Sequence, residues 1–326
     1  MKSICKTIAL LYSITMLSCF IISEGNAQIK RISFVAPKVY PEGIAIDAKA
    51  NVAYVSSVRT GSIGVVDAQG KYSEFYSDPG LKSSFGMKVD EKRNLLWVCV
   101  GDPNYSRFKS PDTFKKMARI VAFDLSSRKK VKDIDLSGLH EGNHFLNDLA
   151  FDNAGNVYIT DSFSPVIYKI DTRDKPSVWA MNDLFKSKEV GLNGIAVHPA
   201  GVLLVAHNTD GAILRVDMKD PTRVQRVKLA AFFPGADGMS VDSDGNLIVV
   251  QNKGVNTVFK LSSTDKWMSA KVTGRTAPEQ LLQNPTTLSW NGTELFVLNA
   301  KLNELSDSTN KPSDEFSFQK VEFQGK

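Results

Sequence analysis

The stretch HFLNDLAFDNAGNVYITDS, residues 144–162, contains the pattern that decides the fold of this chain. Two runs in which apolar and polar residues alternate flank the sequence Asp-Asn-Ala-Gly-Asn, and this composition is typical of a β-hairpin. Asn147 is the exception, because it places a polar side chain at the head of an otherwise apolar strand. A hairpin alone gives no reason for a polar residue at that position.

The same pattern occurs five more times, mostly at intervals of 43 to 49 residues. A recurrent period in the forties with several strands per unit is typical of a β-propeller. Further strand patterns follow the hairpins, such as PVIYKIDT at residues 165–172, so each unit is predicted to be a four-stranded blade. The sequence therefore predicts an all-β fold, a six-bladed β-propeller in a single domain of residues 28–326. The units begin at Glu42, Phe85, Asn147, Asn193, Asp237 and Thr286.

Residues 1–27 are predicted to be a signal peptide. Lysines precede an apolar run at residues 8–22, and small residues at Gly25 and Ala27 suit cleavage near Ala27. The mature protein is then expected to be secreted or periplasmic. A lipoprotein acylated on Cys19 is the alternative, although the residues before Cys19 match an acylation motif poorly. After cleavage only Cys99 remains, so an internal disulfide is not expected.

Charge and hydropathy limit the classes of partner. The formal net charge of +5 is too small to indicate nucleic acid binding. No stretch after the signal peptide approaches the roughly 18 apolar residues of a transmembrane segment. We expect a monomer. Closure of the ring is expected from a terminal strand, either in residues 29–37 or in residues 316–323.

The residues that head the six units are predicted to meet at one place, because the first strand of every propeller blade lines the central channel. Four of them offer oxygen ligands, and no His or Cys joins them. Hard oxygen donors of moderate charge suit Ca²⁺, with Mg²⁺ or Mn²⁺ also possible, whereas Zn²⁺ favours nitrogen and sulfur. The alternative is that Asn-Gly and Asp-Gly pairs only form turns. The predicted ligands are Glu42, Asn147, Asn193 and Asp237.

The motifs PEGIAID, LNDLAFD, GLNGIAVHP and ADGMSVDSDGNL resemble the inner strands of the gluconolactonase/regucalcin family. This family of six-bladed, calcium-dependent hydrolases is similar to diisopropyl-fluorophosphatase and, more distantly, to the paraoxonases. The resemblance implies a calcium ion on the channel axis and hydrolysis of a lactone or another small ester-like substrate. It also implies that Asp237 acts as the catalytic base or nucleophile.

Two positions depart from the family pattern. The place of the paraoxonase catalytic histidine is taken by Phe85, and the place of the gluconolactonase arginine is taken by Phe145. Other side chains must therefore contact the substrate, and residues near the heads of the inner strands or on the channel rim are candidates. The predicted substrate-binding residues are Phe85, Arg107, His144, Phe145, His207 and Asn252.

A long insertion at residues 101–120 follows the second strand of the second blade. It is predicted to be a lid over the channel mouth, and its basic character would favour an acidic small-molecule substrate. Within it, residues 112–120 have the only helix-like pattern of the mature chain. A surface loop without a catalytic role is the alternative. The expected lid contacts are Tyr105, Arg107, Phe108, Phe114 and Met117.

Two other functions remain open at this point. Many propellers carry out no chemistry, so a binding propeller like the NHL-repeat or royal-jelly proteins is the main alternative to a hydrolase. Such a protein could hold a structural ion or none. A propeller like strictosidine synthase is a third possibility, because that scaffold does not require these four oxygen ligands.

Overall fold

A computed structural model describes residues 30–306 and 312–325, and the predicted signal peptide lies outside these ranges. The described residues form six antiparallel sheets, five with four strands and one with five. The sheets are the blades of a six-bladed β-propeller, as the repeat predicts. None of the helices in these ranges is long and apolar enough to cross a membrane.

The first half of the ring contains three blades. After β1 (Arg31–Val35), blade 1 comprises β2 (Ile44–Asp47), β3 (Val52–Val55), β4 (Ser62–Asp67) and β5 (Tyr72–Ser77). Blade 2 comprises β6 (Ser83–Asp90), β7 (Leu95–Gly101), β8 (Ala118–Asp124) and β9 (Lys130–Asp135). Blade 3 comprises β10 (Leu146–Phe151), β11 (Val157–Asp161), β12 (Val166–Ile170) and β13 (Pro176–Met181).

The second half repeats the arrangement. Blade 4 comprises β14 (Leu192–His198), β15 (Val202–His207), β16 (Ala212–Asp217) and β17 (Val224–Arg226). Blade 5 begins with β18 (Ala236–Val241), β19 (Leu247–Gln251), β20 (Thr257–Ser262) and β21 (Lys271–Thr276). The last strands are β22 (Pro285–Asn291), β23 (Glu294–Asn299), β24 (Glu315–Lys320) and β25 (Phe323–Gly325). Short 3₁₀ helices lie at Pro79–Leu81, Ser137–Leu139, Asp183–Phe185, Pro278–Gln280 and Leu302–Ser306.

The two chain ends close the ring together. The strand β1 pairs antiparallel with β24, with Ile32 opposite Phe318. Blade 6 thus has the strand order β22-β23-β24-β1, with β22 innermost. Both segments that the sequence offered for closure are therefore used, and they pair with each other. The last strand, β25, pairs with β21 and becomes the fifth strand of blade 5.

The helix-like pattern at residues 112–120 does not form a helix, so that prediction is wrong. Residues 111–116 are turns, and β8 begins at Ala118. Two helical hydrogen bonds occur in the turns, from the Phe114 amide to the Ser110 carbonyl and from the Met117 amide to the Thr113 carbonyl. The remainder, from Ala118, pairs with β7, because ladder bonds to a neighbouring strand outweigh a weak local helix propensity.

The inner strands of neighbouring blades approach so closely that four of the six motifs need glycine in their second position. A Cβ atom on Gly43 would lie 2.2 Å from the Phe85 carbonyl oxygen, and one on Gly194 would lie 2.2 Å from that of Asp237. Neither glycine has the left-handed backbone of a turn. The Asn-Gly and Asp-Gly pairs are therefore close contacts between blades, and the turn interpretation of these pairs is wrong.

Candidate functional site

A β-bulge lies at the head of the inner strand in five of the six blades. In blades 3, 4 and 5 the ladder register shifts between Leu146 and Leu149, between Leu192 and Ile195, and between Ala236 and Met239. Blades 2 and 6 have the same irregularity at residues 84–87 and 285–288. A bulge bends the strand and redirects a side chain. Each of these bulges contains the heading residue, which explains how it can leave the ladder and face the channel.

The four predicted ligands are all buried, with 3 to 6% of their surface exposed. Each carries one side-chain oxygen without a hydrogen-bond partner among the described residues. Buried polar atoms are normally partnered, so four unpartnered oxygens at equivalent places in a ring suit a bound cation. The four atoms are Glu42 Oε2, Asn147 Oδ1, Asn193 Oδ1 and Asp237 Oδ1.

Two carboxylates of this set interact with each other. Burial raises the pKa of Glu42 well above its ordinary value, and the negative charges of Asp237 and Asp148 raise it further. Burial likewise raises the pKa of Asp237 to about 8, against the hydrogen bond from the Asn252 side chain, which lowers it. Burial and mutual repulsion therefore both disfavour the ionised form of these carboxylates, and a cation bound between them would favour it.

Asn252 holds the carboxylate of Asp237 in one orientation. Its Nδ2 donates to Asp237 Oδ2 over 2.7 Å and to the Pro285 carbonyl over 3.2 Å. One oxygen of Asp237 is thereby occupied, and the other, Oδ1, stays free. Sequence reasoning placed Asn252 on the rim as a substrate contact, and the structure brings it into direct contact with the site.

Glu42 is fixed by hydroxyl groups on both sides. The Ser56 hydroxyl accepts hydrogen bonds from the Glu42 and Gly43 amides over 3.1 and 2.7 Å. The hydroxyls of Thr286 and Thr287 donate to the Glu42 carbonyl over 2.6 and 2.7 Å. Thr286 heads the inner strand of blade 6, so this blade contributes hydrogen bonds to the Glu42 backbone where blades 1, 3, 4 and 5 contribute an unpartnered side-chain oxygen.

A third buried carboxylate, Asp148, was not predicted from the sequence as part of the site. It occupies the position that is glycine in four other blades, and this departure from the repeat was the available signal. Its Oδ1 accepts a hydrogen bond from the Leu149 amide over 2.8 Å and lies 3.8 Å from the Lys88 ammonium. Its Oδ2 has no partner in the described part of the chain.

In the described residues, no three His, Cys, Asp or Glu side chains gather closely enough to hold an ion by themselves. The candidate site accordingly rests on two carboxylates and two amides, and Asp148 is not counted among the ligands.

Aromatic rings form one wall beside the site, which we call the aromatic wall: Phe85, Tyr105, Phe145 and Phe163. The Phe85 and Phe145 rings meet edge to face with centroids 4.6 Å apart. Phe163 packs against Phe145 at 5.3 Å, and Tyr105 packs against Phe85 at 6.4 Å. Burial raises the pKa of Tyr105, and so do the negative charges of Glu42 and Asp237. Its phenol therefore lies close enough to these two carboxylates to interact with them electrostatically.

A polar cavity of about 610 Å³ opens between blades 5 and 6. We call it the amide pocket, because Asn252, Gln283, Asn284 and Asn303 line it together with Lys301. Asn252 links this pocket to Asp237. Blades 5 and 6 face blades 2 and 3 across a six-bladed ring. The aromatic wall and the amide pocket therefore flank the axis on opposite sides.

The profile of the SMP-30/gluconolactonase/LRE-like region matches residues 40–278 of the chain. The chain belongs to the SMP-30/gluconolactonase/LRE-like family. This membership confirms the resemblance drawn from the inner-strand motifs and supports, at the level of the family, a hydrolase built on a propeller.

Solved structures share the fold at low identity. The major Malassezia sympodialis allergen Mala s 1 is similar with a TM-score of 0.71 and 17% identity, over 90% of this chain and 96% of that chain. A gluconolactonase from Xanthomonas campestris is similar with a TM-score of 0.59 and 15% identity, over 91% and 90%.

Among curated proteins, trichothecene biosynthesis protein 14 of Trichoderma arundinaceum is 23% identical over 199 residues. That match covers 56% of this chain and 54%, about half, of the relative. Similarities of this size leave the substrate open, because one fold hosts many functions.

Both predicted substrate-binding histidines are occupied by contacts within the protein. His144 Nδ1 lies 2.7 Å from Asp161 Oδ2 in a buried pair. Burial opposes protonation there, but the hydrogen bond and charge of Asp161 raise the pKa of His144. His207 is also buried, with Nε2 at 3.2 Å from the Lys186 carbonyl and Nδ1 accepting from the Asp210 amide. Neither imidazole ring is exposed at the rim, and each is hydrogen-bonded within the protein.

The insertion is tied to the ring at several points. The Ser106 hydroxyl donates to the Lys82 carbonyl over 2.7 Å, the Lys82 ammonium donates to the Phe108 carbonyl over 2.9 Å, and the Arg107 amide donates to the Arg59 carbonyl over 3.1 Å. Met117 lies in the core between blades 1 and 2, so its predicted role as a substrate contact is wrong.

Two other residues of the insertion have different surroundings. Arg107 is exposed, with its guanidinium 4.7 Å from the Phe108 ring centroid. Tyr105 is the member of the insertion whose ring joins the aromatic wall. A lid role for residues 101–120 stays a prediction.

Proposed function

We propose that this protein is a hydrolase that opens a lactone or another small ester-like substrate at the channel mouth, with a divalent cation, Ca²⁺ before Mg²⁺ or Mn²⁺, on the channel axis. The observation that supports the proposal is the set of four buried, unpartnered oxygens at equivalent positions of the ring. Family membership supports the reaction class. The oxygens belong to Glu42, Asn147, Asn193 and Asp237.

When bound, the cation would act as a Lewis acid that polarises the substrate's carbonyl oxygen. Asp237 is the group proposed to accept a proton from the attacking water, since its carboxylate lies at the site and is held in one orientation by Asn252. Water adds to the carbonyl carbon, its proton passes to the Asp237 carboxylate, and the ester C–O bond breaks. The leaving oxygen then takes up the proton. Asn252 keeps the carboxylate aligned throughout.

The two sides of the mouth favour an amphipathic substrate. The partly exposed rings of the aromatic wall, Tyr105 and Phe163, would contact an apolar part, because Phe85 and Phe145 are buried behind them. The amide pocket would bind hydroxyl or carbonyl groups through its asparagine and glutamine side chains. An acidic substrate, expected from the basic insertion, stays a prediction. One cation of the insertion and one of the amide pocket have contacts within the protein: Arg107 stacks on Phe108, and Lys301 donates to the Glu315 carbonyl.

A panel of aliphatic, aromatic and sugar lactones and aryl esters, each assayed with Ca²⁺ and with chelator, tests the proposal. We expect cation-dependent hydrolysis with a preference for substrates that carry an apolar part. Asp237→Asn should lower kcat by roughly a hundredfold or more, the order of a general base. Asp244→Asn, an exposed change in the hairpin of the same blade, is the matched control. Turnover that is equal in both variants, or indifferent to chelator, would contradict the mechanism.

Export is part of the same proposal. Residues 1–27 would be removed as a signal peptide and the protein released to the periplasm or the medium. The N-terminus of the exported protein should then be Gln28. Retention of residues 1–27 on the exported chain, or a lipid on Cys19, would contradict the cleavage proposed here.

A binding propeller remains the second candidate. Buried phenylalanines at positions 85 and 145, where related hydrolases carry polar groups, favour it. Such a protein would gain thermal stability with Ca²⁺ and with ligand but turn over no member of the panel. Thermal shift and hydrolysis measured on the same preparation separate the two functions.

A further inference from the structure

An ion pair lies in the channel beside the four unpartnered oxygens. The Lys88 ammonium is 3.8 Å from Asp148 Oδ1, and their side chains are 24% and 4% exposed. Asp148 follows Asn147 directly, so its carboxylate stands next to a proposed cation ligand. The pair combines a cation with the carboxylate that replaces a glycine of the repeat.

Lys88 approaches from the end of the channel opposite the mouth. It lies on β6 three residues after Phe85 and lines a cavity of about 340 Å³ to which all six inner strands contribute. Most residues of this lining have apolar side chains, such as Ile46 and Phe151. The other charged residue of the lining, Glu91, is exposed and pairs with Lys49 over 3.4 Å. A lysine at that place is not needed to pack the apolar wall, and its charge is the feature to explain.

Three buried carboxylates, those of Glu42, Asp148 and Asp237, lie at or beside the site, and the Lys88 ammonium is paired with one of them. Asp237 and Asp148 act on Glu42 with negative charge, and Lys88 is the one cation among the causes that shift the pKa of Glu42 and of Asp148. Asp148 also acts on Asp237. When ionised, the three carboxylates and one ammonium have a net charge of −2.

We propose that Lys88 sets the charge of the cation that this channel accepts. With Lys88 present, a divalent cation makes the channel neutral, whereas a trivalent cation leaves an excess positive charge. Uncompensated charge in a buried, low-dielectric site is costly, so the excess lowers affinity. The inference rests on the cation site proposed above and adds a residue that determines its specificity.

The size of the effect follows from Coulomb's law. At an effective dielectric constant of about 20, one unit charge acting over about 10 Å changes an equilibrium constant roughly tenfold. Removing Lys88 should therefore tighten binding of every cation, and the gain should increase with the cation's charge. The affinity for Tb³⁺ should improve over that for Ca²⁺ by roughly this factor.

Lys88→Met removes the charge and keeps the length of the side chain. Titration calorimetry of cation-free protein with CaCl₂ and with TbCl₃ gives the two dissociation constants. The ratio of the Ca²⁺ Kd to the Tb³⁺ Kd should rise roughly tenfold in Lys88→Met. Lys92→Met, an exposed lysine in the adjoining hairpin, should leave it unchanged. Lys88→Arg retains the charge and should also keep the ratio, which separates charge from packing.

A double variant makes the test sharper. Lys88→Met with Asp148→Asn restores a net charge of −2 to the ionised channel, so the ratio should return to within about threefold of the unaltered protein. The inference would be overturned if the ratio of the Ca²⁺ Kd to the Tb³⁺ Kd were the same in Lys88→Met as in Lys92→Met. It would also be overturned if the double variant had the same ratio as Lys88→Met. Failure of the unaltered protein to bind either cation would instead overturn the cation site of the proposed function.

Discussion

At the scale of single residues, the candidate site depends on which oxygen atoms have partners. Asp237 shows this most directly, because Asn252 occupies Oδ2 and leaves Oδ1 free. The hydrogen bond from Asn252 also lowers the pKa of Asp237 against the larger effect of burial. One amide thus orients the carboxylate and favours the ionised form that a cation or a general base requires.

Asn252→Ala should therefore weaken cation binding and slow hydrolysis. We expect about a tenfold rise in the Ca²⁺ Kd, since a hydrogen bond to a charged group contributes roughly 1.5–3 kcal/mol. Calorimetry measures the change. Asn208→Ala is the matched control, because Asn208 directly follows the equivalent strand of blade 4 and donates to the Ala236 carbonyl. Equal effects of the two substitutions would argue against a special role of Asn252.

The raised pKa of Asp237 also predicts how pH acts on stability. The folded pKa is about 8 against an ordinary 3.8, so between those values the folded state binds one more proton than the unfolded state. Without cation, the stabilisation of the folded state by protonated Asp237 is complete below about pH 4 and is lost as the pH rises through 8. Protons and cation compete for the same oxygens, so the cation's stabilising effect should grow over that range.

Thermal unfolding with Ca²⁺ and with chelator, from pH 5 to pH 9, measures this competition. The difference in Tm between the two conditions should increase with pH and flatten above about 8. Asp237→Asn should reduce the pH dependence of that difference, with Glu42 supplying the remainder. A difference in Tm that is constant with pH would contradict proton competition at this site.

At the scale of elements, the sequence allowed the blades and the heading positions to be predicted, because both follow from a repeat of apolar alternation. The bulges could not be predicted, since a bulge depends on which neighbouring strand each residue pairs with. The contacts of His144 and Asp148 were missed for the same reason. His144 meets Asp161 across the β10–β11 hairpin, and Asp148 meets Lys88 of another blade. Local patterns do not record such contacts.

Gly194→Ala tests the close approach of inner strands. Its Cβ would lie 2.2 Å from the Asp237 carbonyl oxygen and 2.8 Å from the Met239 amide nitrogen, and backbone atoms there cannot move aside easily. We expect a loss of about 1–3 kcal/mol of stability, as for overpacking, together with weaker cation binding. Gly138→Ala is the control, because its Cβ would meet no atom within 4 Å. Denaturant unfolding measures the stability of both variants. Equal stability of Gly194→Ala and Gly138→Ala would contradict the interblade contact.

At the scale of the whole molecule, the ring places the four oxygens only while it is closed. Closure depends on β1, whose partner β24 belongs to the other end of the chain. Phe34 of β1 is buried against Phe316 and Phe318, so the strand contributes apolar contacts as well as ladder bonds. Loss of β1 would make β24 the edge strand of blade 6 and uncover Phe316 and Phe318, and an apolar edge of this kind promotes pairing between chains.

A chain that begins at Ala36 should therefore unfold at a lower temperature and associate, compared with one that begins at Gln28. A synthetic peptide of residues 29–37, added in excess, should restore Tm and the monomer by pairing with β24. A peptide with Phe34→Ser is the control, because it keeps the ladder and loses the buried ring. Thermal unfolding and size-exclusion chromatography report both effects. If the shortened chain kept its Tm and its Ca²⁺ affinity, the ring would not need this strand to hold the four oxygens in place.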